Sequence, residues 1–106
     1  MQKAQLIGDW KIVKTGSLLQ LRPDGSATVV TSTKAGAVEE AGTWEYLDAR
    51  HWRFRLYIPP QPDQPGLEEG AWDVTDYEVI SFADTRMECT EFDDTGYHIV
   101  FERAGG

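Results

Sequence analysis

The chain has 106 residues, 41% hydrophobic and 26% charged, a length and balance that fit one globular domain and argue against a disordered tract or a membrane protein. Ten Lys and Arg stand against 18 Asp and Glu, a formal charge of −8, so nucleic acid and anionic membranes are poor partners, because both bind through protein cations. The single cysteine, Cys89, excludes an intrachain disulfide, and residues 1–7 hold no long apolar run; neither a signal peptide nor a membrane span is expected, and a cytoplasmic location follows as an expectation.

Gly8 to Lys14 alternates, with Trp10 and Ile12 on one face and Asp9 and Lys11 on the other, which predicts a half-buried strand. Leu18 to Arg22 repeats the period through Leu19 and Leu21. Pro23-Asp24-Gly25 then reverses the chain, Pro fixing φ and Gly accepting a positive one. Ala27 to Thr33 is rich in β-branched residues and returns as the hairpin partner, and Lys34-Ala35-Gly36 turns again. Val38 to Leu47 sets Trp44 and Tyr46 opposite Thr43, Glu45 and Leu47, with Gly42 expected to mark a bulge or bend.

His51 to Ile58 carries the clearest period of two: Trp52, Phe54, Leu56 and Ile58 face one way, His51, Arg53, Arg55 and Tyr57 the other. Residues 59–66 hold four of the five prolines and predict a long, partly extended loop, since proline donates no ladder hydrogen bond. Trp72 to Phe82 resumes as a strand, Tyr77, Val79 and Ser81 alternating with Glu78, Ile80 and Phe82, and Ala83-Asp84-Thr85 turns it. Arg86 to Phe92 pairs back through Met87 and Cys89, Asp93 to Gly96 turns, and Tyr97 to Arg103 closes with Tyr97, Ile99 and Phe101 on one face, ahead of a frayed tail at Ala104-Gly105-Gly106. No segment of about ten residues has convincing helical periodicity. The fold class expected is all-β, an antiparallel up-and-down meander barrel of about eight strands formed by one domain over residues 1–106.

Three features together resemble the lipocalin-like (calycin) barrels: Gly8-Asp9-Trp10 in the first strand, the Leu-x-Leu strand followed by Pro23-Asp24-Gly25, and a last strand ending Phe101-Glu102-Arg103. The resemblance implies that the indole of Trp10 lies under the barrel base, with Gly8 beside it and Arg103 packed across it. A guanidinium on an indole joins cation–π attraction to closure of the barrel end. A barrel of this size is filled by its own side chains or holds one small ligand, and the aromatic residues are expected to fill most of it.

Catalytic and metal motifs are weak. Asp94-Thr95-Gly96 has the letters of an aspartic-protease turn, but Tyr97 follows and ten residues remain, so a hairpin turn is expected. His51 and His98 lack ligand spacing, no metal or cofactor is expected, and Cys89 stands between Glu88 and Glu91, which oppose a reactive thiolate. No Gly-rich phosphate cradle or Ser-His-Asp arrangement appears, so the chain is expected not to be an enzyme.

Two kinds of function follow. The first is a binding domain that receives a small, mostly apolar ligand at the open barrel end beside the Pro-rich loop, with Trp44, Tyr46, Trp52, Phe54, Trp72 and Tyr77 as candidate contacts. The second is a protein-interaction module of inhibitor, immunity or adaptor type. It would use that loop or the acidic stretch from Asp63 to Asp94, where eleven acidic residues accompany one basic residue, Arg86. A homodimer that covers edge strands is a further possibility.

Overall fold

The computed structural model of the chain describes residues 1–91 and 96–104. It contains one helical turn, α1 (Lys3–Leu6), and eight strands: β1 (Gly8–Ile12), β2 (Leu18–Leu21), β3 (Ser26–Thr33), β4 (Gly36–Asp48), β5 (His51–Ile58), β6 (Ala71–Ala83), β7 (Arg86–Glu91) and β8 (His98–Arg103). Each strand pairs antiparallel with the next, and β8 returns to β1 through Trp10 opposite Arg103 and Ile12 opposite Phe101. The result is a closed up-and-down barrel. Closure pairs the sheet edges with each other over the length where β1 and β8 run together.

Alternation builds the core. Trp10, Leu19, Leu21, Ala27, Trp44, Trp52, Phe54, Tyr77, Val79, Met87, Cys89 and Phe101 are buried, together with Leu6 from α1. Each large ring removed from water contributes on the order of 4–6 kcal/mol before ordering entropy is set against it. The rings of Trp52 and Tyr77 stack at 4.7 Å between centroids, and Phe101 meets both edge-on at 5.8 Å.

Two bulges change the simple alternation. Leu47 lies between the paired residues Tyr46 and Asp48, and Ile80 between Val79 and Ser81. The extra residue at Ile80 corrects the expectation for β6: side chains beyond it exchange faces, so Phe82 turns inward to meet the Trp10 indole edge-on at 6.1 Å, while Ile80 is 53% exposed. Gly42, in contrast, stays in continuous register between Ala27 and Leu56. A Cβ there would collide with the Arg55 carbonyl, so the glycine permits close strand approach and not a bulge.

Two other expectations are revised, and one short element adds to the strands. Residues 3–6 form a helical turn, too short for periodicity to show, whose start is fastened by the Gln2 amide donating to Gln5 Oε1 at 2.6 Å. Residues 59–70 are folded through successive turns and not extended: the amides of Gln61 and Gly70 both donate to Leu67 O, at 2.7 and 3.1 Å. Ala104 is not frayed, because its amide donates to Asp9 O at 2.9 Å. Phe92 at the end of one predicted strand, Asp93 to Thr95 of the predicted turn, and Gly105 and Gly106 lie outside the described residues.

Candidate functional site

The barrel has two unlike ends. At the base, where β2 meets β3, β4 meets β5 and β6 meets β7, the amino-terminal segment acts as a plug. Leu6 is fully buried, its carbonyl accepts the Trp10 Nε1–H at 2.9 Å, and the Arg103 guanidinium lies 3.7 Å over the Trp10 ring. Arg103 also donates to Gln5 O at 2.7 Å and Ile7 O at 3.0 Å. Partial burial opposes its charge, which Asp84 and Asp9 support. Gly8 has φ 128°, and a Cβ there would stand 2.9 Å from Arg103 Nη1; the position needs glycine both for backbone conformation and for room. The three residues singled out by resemblance thus meet at one place.

The six aromatic candidates do not form one site. Tyr46, Trp52 and Tyr77 make a cross-strand row on the inner wall, and Trp44 and Phe54 make the next. Two of them are engaged toward the base by their polar tips: Trp44 Nε1–H donates to Arg22 O at 2.7 Å and Tyr46 O–H to Met1 O at 3.3 Å. Trp52 Nε1–H is buried with no well-formed hydrogen bond, and weak hydrogen bonding toward the Cys89 thiol acts to lower that group's pKa. Burial dominates there and pushes the thiol up to about 12. Burial likewise raises the Tyr77 phenol above its ordinary range. Trp72 is elsewhere. It is 54% exposed on the outer wall, where it meets Tyr57 at 5.2 Å between ring centroids.

This outer wall of β4, β5 and β6 is ordered in rows. Nearest the base, His51 lies between Asp48 at 2.8 Å and Glu78 at 3.2 Å. Hydrogen bonding to Asp48, followed by that to Glu78, raises its pKa. In the next row Arg53 is held by Asp76 through two hydrogen bonds, of 2.6 and 3.2 Å, with Glu45 at 3.9 Å on its other side. Arg53 keeps the Asp76 carboxyl below its usual range. The third row is Thr43, Arg55 and Val74, and the fourth contains Tyr57 and Trp72. A groove of about 420 Å³ opens there, lined by Thr43, Arg55, Trp72 and Val74.

The sequence held a signal for this groove. Residues 72 and 74 share parity with Asp76 and Glu78, so the alternation that turns Tyr77 inward turns Trp72 outward, beside Arg55 and Tyr57 of β5. Among the described residues no group of His, Cys, Asp and Glu side chains is arranged to hold a metal ion, and no helix is long and apolar enough to cross a membrane. The sequence matches no protein-family model and no curated protein at a significant level. Fold and surface chemistry therefore carry the functional argument: the class they define is a small closed antiparallel barrel with an apolar groove on its outer wall.

Proposed function

We propose that the chain is a non-catalytic, lipocalin-like binding barrel whose contact surface is the outer wall of β4, β5 and β6. The kinship rests on the Gly8, Trp10 and Arg103 arrangement at the base. The contact surface rests chiefly on Trp72, a large apolar side chain left half in water beside Tyr57 and Val74, with a groove at its foot. The inner wall is a poorer candidate, because Trp52 and Phe101 are buried by their own neighbours. Absence of catalysis fits a thiol that is 0% exposed with its pKa pushed up to about 12, which leaves Cys89 a poor nucleophile.

The test is native mass spectrometry on the chain purified from its own cells, beside Trp72→Ala. A small molecule retained by the parent and lost from Trp72→Ala supports the outer wall, whereas retention by both variants counts against it. A second reading, a small apolar ligand entering by the barrel mouth, is favoured by one observation: the buried Trp52 N–H has only weak hydrogen bonding toward the Cys89 thiol and lacks the oxygen acceptor that a ligand would supply. Loss of the retained molecule from Trp52→Phe but not from Trp72→Ala would select it.

A further inference from the structure

The rows of the outer wall share a rule that fails once. β5 presents the bases His51, Arg53 and Arg55 on this face, and each has one cross-strand neighbour on β4 and one on β6. His51 stands between Asp48 and Glu78, and Arg53 between Glu45 and Asp76, so both are flanked by acids on both sides. Arg55 stands between Thr43 and Val74. Its ion pair is diagonal, to Glu45 at 3.5 Å, and that carboxylate is shared with Arg53. Arg55 and Glu45 are 40% and 49% exposed, so the contact is weak and readily exchanged for another anion. The groove opens at this row, where the pattern lacks a carboxylate.

We infer that the groove binds a small amphipathic carboxylate, its anionic end on the Arg55 guanidinium and Thr43 hydroxyl and its flat apolar body against Trp72 and Val74. The inference rests on the outer-wall reading above and names the ligand class for that surface. Charge complementarity selects the anionic end: a guanidinium offers a planar fork to a carboxylate, and Thr43 adds a hydroxyl donor. Val74 and Trp72 select an apolar body, since indole and isopropyl surfaces gain by leaving water. The volume, about 420 Å³, lies within the range of small-molecule sites. A polyanionic macromolecule would also face the net charge of −8.

The experiment is a titration of the full chain, labelled with nitrogen-15, at low ionic strength with 2-naphthoate, neutral 2-naphthamide and an acetylated Glu-Trp-Glu peptide. Backbone and indole N–H shifts are followed. Naphthoate is expected to shift Trp72, Val74 and Arg55 and to bind about fivefold more tightly than the amide, the scale of one exposed ion pair. Arg55→Gln should erase that preference while amide binding persists. Val74→Glu supplies the missing acid from the chain itself and should suppress naphthoate binding; both substitutions are at partly exposed positions, and an unchanged spectrum elsewhere verifies the fold. Equal binding of naphthoate and amide at Trp72 overturns the carboxylate assignment but leaves the outer-wall reading standing. Tighter binding of the peptide than of naphthoate overturns the small-molecule assignment. Shifts at Trp52 instead of Trp72, or none with any compound, overturn both.

Discussion

Replacing Arg103 with alanine removes four contacts at once from the barrel base, the weakest a hydrogen bond from its Nε–H to Asp84 O at 3.3 Å. The Trp10 ring loses a cation 3.7 Å from its face, and the carbonyls of Gln5 and Ile7 lose charge-assisted donors at 2.7 and 3.0 Å. A partly buried cation–π contact contributes about 1 kcal/mol, and a hydrogen bond from a charged donor about 1.5 kcal/mol at the low end of its range. Because the groups are coupled, the sum is not strictly additive, and the expected loss is about 3 kcal/mol. For a domain of this size each kcal/mol lowers Tm by roughly 4–8 °C, so a fall of ~12 °C or more is expected. Urea unfolding followed by far-ultraviolet circular dichroism measures the loss without relying on Trp10 emission. Arg103→Lys should recover less than half of it, since an ammonium keeps the charge but cannot place a planar fork between two carbonyls and a ring. An Arg103→Ala variant within about 0.5 kcal/mol of the parent, the range of ordinary surface substitutions, would refute the view that this side chain locks the base.

Gly8→Ala, whose Cβ would crowd Arg103 Nη1 at φ 128°, is expected to cost about 1–3 kcal/mol of strain, measured by the same unfolding. Deletion of Ile80 should return β6 to strict alternation with Ser81 opposite Glu88 and Phe82 still inward opposite Met87; the ring proton contacts of Phe82 to Trp10 should persist, and their loss would contradict the bulge assignment. At about pH 8 a thiol pushed up to about 12 is ionised in roughly one molecule in ten thousand, so iodoacetamide should modify Cys89 far more slowly in folded protein than in urea. His51 has its folded pKa raised above 6.5 by Asp48 and Glu78, so its stabilising effect is complete below the unfolded value and fades as pH rises through the folded one. His51→Gln should therefore destabilise more at about pH 5.5 than at about pH 8.5, and urea midpoints at the two values test the sign.

Period-two alternation was sufficient to read most of the barrel from sequence, because a sheet with one buried face must repeat every second residue. β5 is the clearest instance: Trp52 and Phe54 are inside and Arg53 and Arg55 outside, as the spacing requires. Alternation cannot reveal where an extra residue enters, so the bulge at Ile80 and the inward turn of Phe82 were hidden; the bulge is defined by the partner strand, not by β6 alone. The plug at residues 3–6 was equally silent, since one turn is too short to show a period and its stability comes from bonds to Trp10 and Arg103. The base constellation of Gly8, Trp10 and Arg103 was expected only from the family resemblance, since periodicity and spacing do not by themselves bring the three together. The groove was only half legible. Local parity already turned Arg55 and Trp72 outward, yet the lack of an acid directly opposite Arg55 on either neighbouring strand appears only when the registers of β4, β5 and β6 are laid side by side.

Accessibility of the four tryptophan indoles to a soluble paramagnetic chelate tests most directly the central claim of a barrel filled from within and exposing its binding aromatic outside. Trp72, 54% exposed, should broaden at the lowest concentration, Trp44, with its N–H bound to Arg22 O, should be shielded, and Trp10 and Trp52, both 0% exposed, should persist longest. Early loss of the Trp52 or Trp10 signal, or persistence of Trp72 alongside them, would contradict it.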